Sequence, residues 1–316
     1  MTAKVFIDGE AGTTGLQIKA RLESRPDLTL LHLNDAERKD TDRRRDMLNA
    51  ADLVVLCLPD DAARESVTLI DNAETRVVDA STAHRTADGW AYGFPEYEAG
   101  QRDVIRDSTR VANPGCYAIT SVAILHPLVK AGVVSADWPV TINAVSGYSG
   151  GGKGLIAAFE DSDAENYTES AFYAYGLSLS HKHIPEITRW SGLAHAPVFV
   201  PSVGRYHQGM IVQVPLPFWA MPGAPSAADV YAALSDHYAG ERFVTVAPLA
   251  GTAGMASLDP QDLNGTNELR LHVFANDGAG QAVVMGLIDN LGKGASGQAV
   301  QNLNIMLGLD EAAGLT

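Results

Sequence analysis

The stretch KVFIDGEAGTTG at residues 4–15 decides the fold, because it joins a short apolar strand to a helix through a glycine-rich turn. Gly9, Gly12 and Gly15 give the spacing G-x-x-G-x-x-G, which differs from the commoner G-x-G-x-x-G of nucleotide-binding turns. Glycines at such positions let the backbone turn tightly and approach a pyrophosphate, which rests on the helix N-terminus. The stretch therefore predicts a dinucleotide-binding turn.

The first third of the chain continues this alternation of apolar runs and helical stretches. Its five runs lack a regular polar–apolar alternation, which is typical of strands buried on both faces of a parallel sheet. Between the first two runs, Ile18 and Leu22 stand four residues apart, as on one side of a helix. We therefore predict an α/β fold with a doubly wound parallel sheet of the Rossmann type. The runs span residues 4–8, 28–33, 53–58, 76–79 and 110–112.

From about residue 140 the pattern changes to longer, alternating strands that predict a second, inserted α+β domain with a mostly antiparallel sheet. The segment 294–308 is helical again, and we expect it to return to the first domain. The predicted dinucleotide-binding domain therefore comprises residues 1–115 and 290–316, and the inserted domain comprises 116–289. The predicted strands of the inserted domain are 139–145, 198–203, 209–216, 243–248, 267–275 and 281–286.

Composition narrows the class of protein. A chain of 316 residues with 46% hydrophobic and 19% charged residues is an ordinary globular protein, long enough for two domains. No apolar run approaches the roughly 20 residues of a membrane span, so no membrane partner is expected. The net charge of −15 disfavours nucleic acid as a partner. Two cysteines in unrelated contexts fit a reducing cytoplasm.

Cys116 follows an Asn-Pro-Gly turn at residues 113–115. A helical stretch at 118–128 comes next, so we expect Cys116 at or near a helix N-terminus. The positive end of the helix dipole favours a thiolate, which is the form that attacks carbonyl carbon. A buried structural thiol is the alternative, and the turn favours the nucleophile. Cys57, at the end of the third run, is instead expected to be buried and unreactive.

The residues leave the choice between NAD and NADP open. Asp35 lies 20 positions beyond Gly15, where an acidic residue would bind the 2′-hydroxyl of the adenosine ribose. Arg38, Lys39 and the run RRR at 43–45 follow closely and would suit a 2′-phosphate. The same basic run is equally typical of a solvated helix face.

A second glycine cluster, GYSGGGKG at residues 147–154, follows a predicted strand. Its spacing matches a P-loop up to Lys153, but Gly154 stands where Ser or Thr would bind magnesium. We therefore expect an anion-binding loop with Ser146 and Ser149, or else a surface turn, rather than a kinase or ATPase loop.

Two histidines, His181 and His183, lie just before a helix whose first turn contains Pro185 and Glu186. Metal binding lacks further ligands nearby in sequence, so no metal is expected. A catalytic base for Cys116 is favoured, because thiol nucleophiles are commonly paired with an imidazole. A structural role for either histidine stays open at this stage.

Five motifs together resemble the shorter type of the N-acetyl-γ-glutamyl-phosphate reductase family, within a superfamily that includes the aspartate-semialdehyde and glyceraldehyde-3-phosphate dehydrogenases. The resemblance covers nearly the whole chain. It implies NADPH-dependent reduction of N-acetyl-γ-glutamyl phosphate to N-acetylglutamate 5-semialdehyde and phosphate, a step of arginine biosynthesis. The motifs are GEAGTTG at 9–15, YGFPE at 92–96, ANPGCY at 112–117, HKHIPE at 181–186 and KGASGQAVQN at 293–302.

The resemblance also implies a role for individual residues. Cys116 would attack the acyl phosphate, and hydride transfer to the resulting thioester would lead to the aldehyde. His183 is the expected base, with His181 nearby for substrate or phosphate, and backbone N–H groups around Cys116 would stabilise the oxyanion. Cofactor contacts are expected at Gly9, Gly12, Thr13, Thr14, Gly15, Ser81 and Asn290, and substrate contacts at Asn113, Ser149, Gly150 and Arg85.

Two positions depart from the family pattern. Many relatives carry Ser-Ala-Asp-Phe-Arg where this chain has STAHR at 81–85, so Arg85 matches while its neighbours differ. Asp35 does not suit NADP(H), which the resemblance implies as cofactor, and we expect it to point away or to cap a turn. The expected partners are a small-molecule acyl phosphate and further copies of the chain, in a dimer or tetramer formed through the sheet of the inserted domain.

Three alternatives remain. An aspartate-semialdehyde dehydrogenase would share the fold and the thiol chemistry but would need a pocket for a substrate ammonium group. A regulator that binds NADP without turnover would leave the cysteine turn and the histidine pair without a task. A P-loop phosphotransferase would require magnesium-dependent ATP binding.

Overall fold

A computed structural model describes residues 2–34 and 36–316, so the expectation for Asp35 lies outside the described residues. The chain forms two compact units. The first contains the chain up to Gly115 together with Ala295–Thr316, and the second contains Cys116–Gly294. The sequence placed the return to the first domain at residue 290. In the structure Asn290 still hydrogen-bonds to Ser149 and Gly209, both in the second unit.

The first unit contains a six-stranded parallel sheet with the strand order β2-β1-β3-β4-β6-β5. Its strands are short, and the side chains of the central strands β3 and β4 are almost completely buried, as expected of a parallel sheet covered on both faces. The two-residue strand β5 was not predicted, because two residues carry no periodicity. The strands are β1 Ala3–Asp8, β2 Leu28–Leu31, β3 Leu53–Leu56, β4 Arg76–Asp79, β5 Ala91–Tyr92 and β6 Arg110–Ala112.

Helices cover both faces of this sheet. On one face, Ile18 of the first helix packs with Val300 and Leu303 of the last helix against Val5 and Ile7. The opposite face is covered by the second and third helices through a separate apolar cluster. The doubly wound arrangement predicted from the sequence is therefore confirmed. The helices are α1 Thr13–Leu22, α2 Thr41–Ala50, α3 Asp60–Thr68, α4 Gln101–Asp107 and α10 Gly297–Leu307.

The second unit contains a seven-stranded mixed sheet with the order β11-β12-β13-β10-β7-β9-β8. Four of its six strand pairs are antiparallel, and β7–β9 and β11–β12 are parallel. This agrees with the predicted inserted domain of mostly antiparallel sheet. The strands are β7 Thr141–Gly147, β8 Phe172–Ala174, β9 Val198–Gly204, β10 Met210–Leu216, β11 Val244–Val246, β12 Leu269–Asn276 and β13 Gln281–Ile288.

One long helix packs across this sheet. It is α5, Cys116–Lys130, and eleven of its fifteen residues are buried. Its contact with β13 is close, since a Cβ added to Gly286 would lie 2.4 Å from the Cγ2 of Thr120. In the described part of the chain no helix is both long and apolar enough to cross a membrane. The other helices of the unit are α6 Gly152–Glu160, α7 Ile184–Ser191, α8 Ala227–His237 and α9 Leu249–Thr252.

Candidate functional site

The glycine turn between β1 and α1 requires glycine for reasons of both conformation and space. Gly9 has a φ of +92°, and a Cβ there would lie 2.3 Å from the carbonyl oxygen of Cys57. A Cβ on Gly15 would lie 2.4 Å from the carbonyl oxygen of Gly9. The N–H of Gly12 donates to that same oxygen at 3.0 Å, which closes the turn. Thr13 and Thr14 form the first turn of α1, so the N–H groups at this helix end are available to an anion.

A cleft of about 400 Å³ lies beside this turn, inside the first unit. Gly9 and Ala11 line one side of the cleft, and Arg38, Lys39 and Arg44 line another. Arg44 is tied to the protein, because it donates to Asp8 at 2.9 Å and to Ser66 at 2.6 Å. The cleft thus combines a glycine turn suited to a pyrophosphate with cationic side chains at the position expected for the adenosine ribose.

Ser81 and Arg85 follow β4, whose last residue is Asp79. Ser81 donates to Asp79 at 2.8 Å, and the same carboxylate oxygen lies 2.6 Å from Nδ1 of His84. The ring of His84 stacks on Trp90 with centroids 4.0 Å apart. Arg85 is 8% exposed and donates to the carbonyl oxygens of Asn113 and Ala80, both at 3.0 Å. Arg85 therefore braces the backbone of the cysteine turn.

Asn113 is 1% exposed, and both its backbone and its side chain make hydrogen bonds. Its N–H donates to the carbonyl oxygen of Asp79 at 2.8 Å. Its side-chain Nδ2 donates to the carbonyl oxygen of Ala295 at 3.1 Å, and its Oδ1 accepts from Asn302 at 3.0 Å. The side-chain amide thus makes two hydrogen bonds within the protein, and its contact with substrate stays a prediction.

Cys116 is the first residue of α5, as the turn predicted, although the helix begins two residues before the predicted start. The helix dipole and the N–H groups of its first turn favour a thiolate at this position. Gly294, in a short π-helical segment at Gly292–Ser296, packs against Cys116 from the other side. Cys57 differs, because burial raises the pKa of its thiol to about 12.

Both histidines belong to an aromatic cluster around Tyr117, the neighbour of Cys116. The ring of Tyr117 lies edge-on to His181 and to His183, each with a centroid distance of 5.9 Å. The hydroxyl of Tyr175 donates to that of Tyr117 at 3.2 Å, which in turn donates to the carbonyl oxygen of Ser202 at 3.2 Å. Burial raises the pKa of both tyrosines, and the charge of a Cys116 thiolate raises it further. The two hydroxyls therefore remain protonated near the cysteine.

His181 has a defined tautomer. The backbone N–H of His183 donates to Nδ1 of His181 at 3.2 Å, so the ring proton is on Nε2. Burial, followed by the charge of Lys182, lowers the pKa of His181 to about 4. The ring is therefore neutral at pH 7 and has one N–H to donate. His183 is buried and immediately precedes α7.

The second glycine cluster begins at the end of β7 and continues into α6. Ser149 is buried, and its hydroxyl accepts from Nδ2 of Asn290 at 3.1 Å. Oδ1 of Asn290 accepts from the N–H of Gly209 at 2.7 Å. Gly150 is tightly placed, because a Cβ there would lie 3.3 Å from Asn290 and from Ser146. Ser149, Gly150 and Asn290 thus form one group in the second unit, with Asn290 at its centre.

The structure therefore divides the predicted residues between the units. The cofactor positions from Gly9 to Gly15, with Ser81, Arg85 and Asn113, belong to the first unit, and Cys116, both histidines, Ser149, Gly150 and Asn290 belong to the second. The sequence reasoning missed Tyr175 and Asn302. Asn302 carried a usable signal, since it is one of several amides in an otherwise apolar helix. Within residues 2–34 and 36–316, no group of three or more histidine, cysteine or acidic side chains is placed to hold a metal.

Two family models match the chain. Residues 4–106 match a model described as semialdehyde dehydrogenase, NAD binding domain, and residues 116–290 match one described as semialdehyde dehydrogenase, dimerisation domain. Among curated proteins, N-acetyl-gamma-glutamyl-phosphate reductase 2 of Pseudomonas putida is 53% identical over 313 residues, covering 99% of each chain. The N-acetyl-gamma-glutamyl-phosphate reductase of Burkholderia cenocepacia is 53% identical over 309 residues, covering 98% of each.

Solved structures with the same fold are more distant in sequence. Aspartate semialdehyde dehydrogenase II of Vibrio cholerae, complexed with ASA, matches with a TM-score of 0.69 at 14% identity, over 97% of this chain and 98% of that one. Aspartate semialdehyde dehydrogenase of Candida albicans, with NADP, matches with a TM-score of 0.67 at 15% identity, over 97% of this chain and 99% of that one. At this identity the likeness shows the fold alone.

Proposed function

The chain belongs to the semialdehyde dehydrogenase family, among its N-acetyl-γ-glutamyl-phosphate reductases, and we propose that it reduces N-acetyl-γ-glutamyl phosphate to N-acetylglutamate 5-semialdehyde and phosphate with NADPH. The reaction is a step of arginine biosynthesis. The observation that carries the proposal is the position of Cys116 at the first residue of α5, next to a tyrosine that packs on two histidines.

The chemistry begins with Cys116. Its Sγ attacks the acyl carbon, and the bond from that carbon to the phosphate oxygen breaks. Phosphate departs, and the acyl group stays on the cysteine as a thioester. We assign His183 as the base that takes the thiol proton, because the Tyr117 ring holds this buried imidazole next to the cysteine segment. The same imidazole returns a proton to sulfur when the C–S bond finally breaks.

His181 has a different task in this scheme. Its Nδ1 is occupied by the N–H of His183, and its pKa of about 4 keeps it neutral at working pH. It is therefore suited to donate one hydrogen bond from Nε2 to a substrate or phosphate oxygen, and unsuited to take up a proton. This supports the roles that the resemblance implies, with His183 as the base and His181 nearby for substrate or phosphate.

The nicotinamide cofactor, when bound, supplies the hydride that reduces the thioester. The glycine turn suits its pyrophosphate, because the backbone there turns too tightly for a side chain at Gly9 or Gly15. Such a turn lets the backbone approach the pyrophosphate closely. We propose NADP(H) rather than NAD(H), on the ground that Arg38 and Lys39 line the cleft beside the turn. Guanidinium and ammonium groups suit a 2′-phosphate, whereas a 2′-hydroxyl would be bound by a carboxylate.

We further propose that the chain forms a homo-oligomer through the sheet of the second unit. The match of this unit to a dimerisation domain supports the proposal. Val198, the first residue of β9 in this sheet, is apolar and 50% exposed, so it is available to a subunit contact. Light scattering on wild type and Val198→Asp tests this, since a charge in a subunit contact should lower the mass of the assembly.

The experiment that tests the activity is phosphate-dependent reduction of NADP by N-acetylglutamate semialdehyde, followed at the nicotinamide absorbance. Wild type should be active and Cys116→Ala inactive, while Cys57→Ala, which alters the thiol whose pKa is raised to about 12, should retain turnover. Activity with aspartate semialdehyde instead would keep the thiol mechanism and overturn the substrate. Cofactor binding without turnover of either aldehyde would favour a regulator.

A further inference from the structure

Asn302 is a fully buried amide near the middle of α10, where most helix positions would be apolar. Its Nδ2 donates to the carbonyl oxygen of Gly93 at 2.9 Å and to Oδ1 of Asn113 at 3.0 Å. Its Oδ1 accepts from Nε2 of Gln298 at 3.4 Å. Both protons of the Asn302 amide are thus used, and both are directed at loops of the first unit.

One of these partners, Asn113, is the residue that opens the Asn-Pro-Gly turn. Pro114 follows it with a fixed φ and no N–H, so Pro114 itself donates no hydrogen bond that would hold the turn. Besides the bond from Asn302, the side chain of Asn113 donates to the carbonyl oxygen of Ala295, and its backbone carbonyl accepts from Arg85. Because Nδ2 of Asn113 donates to Ala295 while its Oδ1 accepts from Asn302, the two bonds together fix one orientation of the Asn113 amide.

The fit at Gly93 shows that Asn302 has a tightly enclosed position. A Cβ on Gly93 would lie 2.4 Å from Nδ2 of Asn302 and 2.9 Å from the carbonyl oxygen of Ala112. The N–H of Gly93 donates to that same carbonyl oxygen at 2.9 Å. The backbone at residue 93 therefore lies directly against both the Asn302 amide and the end of β6, from which the cysteine turn departs.

We propose that Asn302 is a positioning residue that locks Asn113 and thereby fixes the turn from which Cys116 enters α5. The proposal rests on the proposed function for its kinetic part. It extends that function to a residue that touches neither the reacting cysteine nor the glycine turn of the cofactor. Loss of the Asn302 amide would remove the bond to Oδ1 of Asn113 and leave the side chain held only by its bond to Ala295, so the turn would be held less firmly.

The chain offers a matched control two residues further along the same helix. Asn304 is equally buried, and its Nδ2 also makes two hydrogen bonds, to the carbonyl oxygens of Glu311 and Ala313. These bonds hold the C-terminal segment and not the cysteine turn. Asn302→Ala and Asn304→Ala therefore remove similar buried amides, and both should lower the melting temperature by several degrees.

The two variants should differ in readouts that stability alone does not move. Per folded molecule, Asn302→Ala should lower kcat by about tenfold to a hundredfold, because a displaced nucleophile attacks poorly. Its KM for NADP should stay near the wild-type value. Alkylation of Cys116 by iodoacetamide, followed by peptide mass spectrometry, should slow by about threefold as the thiol shifts from the helix end. Asn304→Ala should keep the wild-type values of all three.

A double-variant cycle tests whether Asn302 acts through Asn113. If it does, Asn113→Ala/Asn302→Ala should have nearly the kcat of Asn113→Ala alone, because the interaction is already lost. The proposal would be overturned if the two substitutions lowered kcat by factors that multiply in the double variant. It would also be overturned if Asn302→Ala kept the kcat and the alkylation rate of wild type. Wild type that fails to turn over either aldehyde would overturn the proposed function instead, and the alkylation rates would still decide the role of Asn302.

Discussion

Gly294 lies directly against Cys116, and a Cβ added to Gly294 would be 2.9 Å from the Cβ of Cys116. The same atom would lie 3.0 Å from the carbonyl oxygen of Asp289, which accepts the N–H of Gly294. Gly294 is at the centre of the π-helical segment Gly292–Ser296, a geometry that is rare and often found at functional sites. A side chain at this position therefore requires the first residue of α5 or the π-helical segment to move.

Gly294→Ala should lower kcat by at least about tenfold, because the added methyl displaces the nucleophile from its position. The melting temperature should also fall, since overpacking costs on the order of 1–3 kcal/mol. Steady-state kinetics and thermal unfolding measure the two effects. Gly251→Ala is the control, because a Cβ there meets no atom within 4 Å and should leave both values unchanged. A fully active Gly294→Ala would show that the contact has no bearing on the chemistry.

The two cysteines should differ sharply in reactivity. Burial raises the pKa of Cys57 to about 12, so its thiol stays protonated at pH 8, whereas Cys116 is located at a helix N-terminus that favours the thiolate. Folded wild type should therefore take up one equivalent of iodoacetamide at pH 8, and Cys116→Ala should take up none. In urea both thiols of wild type should react. Modification of Cys57 in the folded protein at pH 8 would contradict its raised pKa.

The sequence predicted the parallel sheet well, because a strand such as β3, with the sequence Leu-Val-Val-Leu, is a continuous apolar run that is typical of a strand buried on both faces. It also placed Cys116 at a helix start, since an Asn-Pro-Gly turn is a local signal. It missed β8, whose residue Phe172 is 58% exposed, because an exposed edge strand lacks a buried face to create periodicity.

The parts of the site that depend on distant residues were not predictable from local patterns. Tyr175 reaches Tyr117 across 58 positions of sequence, and Asn290 reaches Ser149 across 141. The partner of the Asn113 amide is also distant, since Nδ2 of Asn302, 189 positions away, donates to its Oδ1. Such partners are chosen by the packing of the whole unit, which spacing along the chain does not report.

His181 should make the stability of the fold depend on pH in a defined direction. Its pKa is about 4 in the folded protein, below the value of 6.5 typical of an exposed histidine, so the unfolded chain binds the proton more readily. Its contribution to stability is therefore complete above about pH 6.5 and is lost as the pH falls towards 4.

Urea unfolding of wild type and His181→Gln between pH 4.5 and 7.5 measures this contribution. The free energy of unfolding of wild type should fall more steeply with decreasing pH than that of His181→Gln. His195→Gln serves as the control, because the side chain of His195 is 74% exposed and should leave the slope as in wild type. Parallel slopes for wild type and His181→Gln would show that His181 is not held neutral by its surroundings.

Arg38 and Lys39 should determine the preference for NADPH over NADH. Both line the cleft beside the glycine turn. A charge-assisted hydrogen bond to phosphate contributes about 1.5–3 kcal/mol, so replacing both residues by alanine should raise the KM for NADPH by about tenfold to a hundredfold. Turnover with NADH, which has no 2′-phosphate, should change little.

Arg45→Ala separates this local effect from a general loss of positive charge. Arg45 belongs to the same basic run but is exposed on α2 and does not line the cleft, so its replacement should leave the KM for NADPH unchanged. Measured at rising ionic strength, the difference between NADPH and NADH should persist in wild type and Arg45→Ala, because a direct contact is screened less than a diffuse field. If Arg38→Ala/Lys39→Ala raised the KM for NADPH and for NADH equally, these side chains would shape the cleft and would not bind the 2′-phosphate.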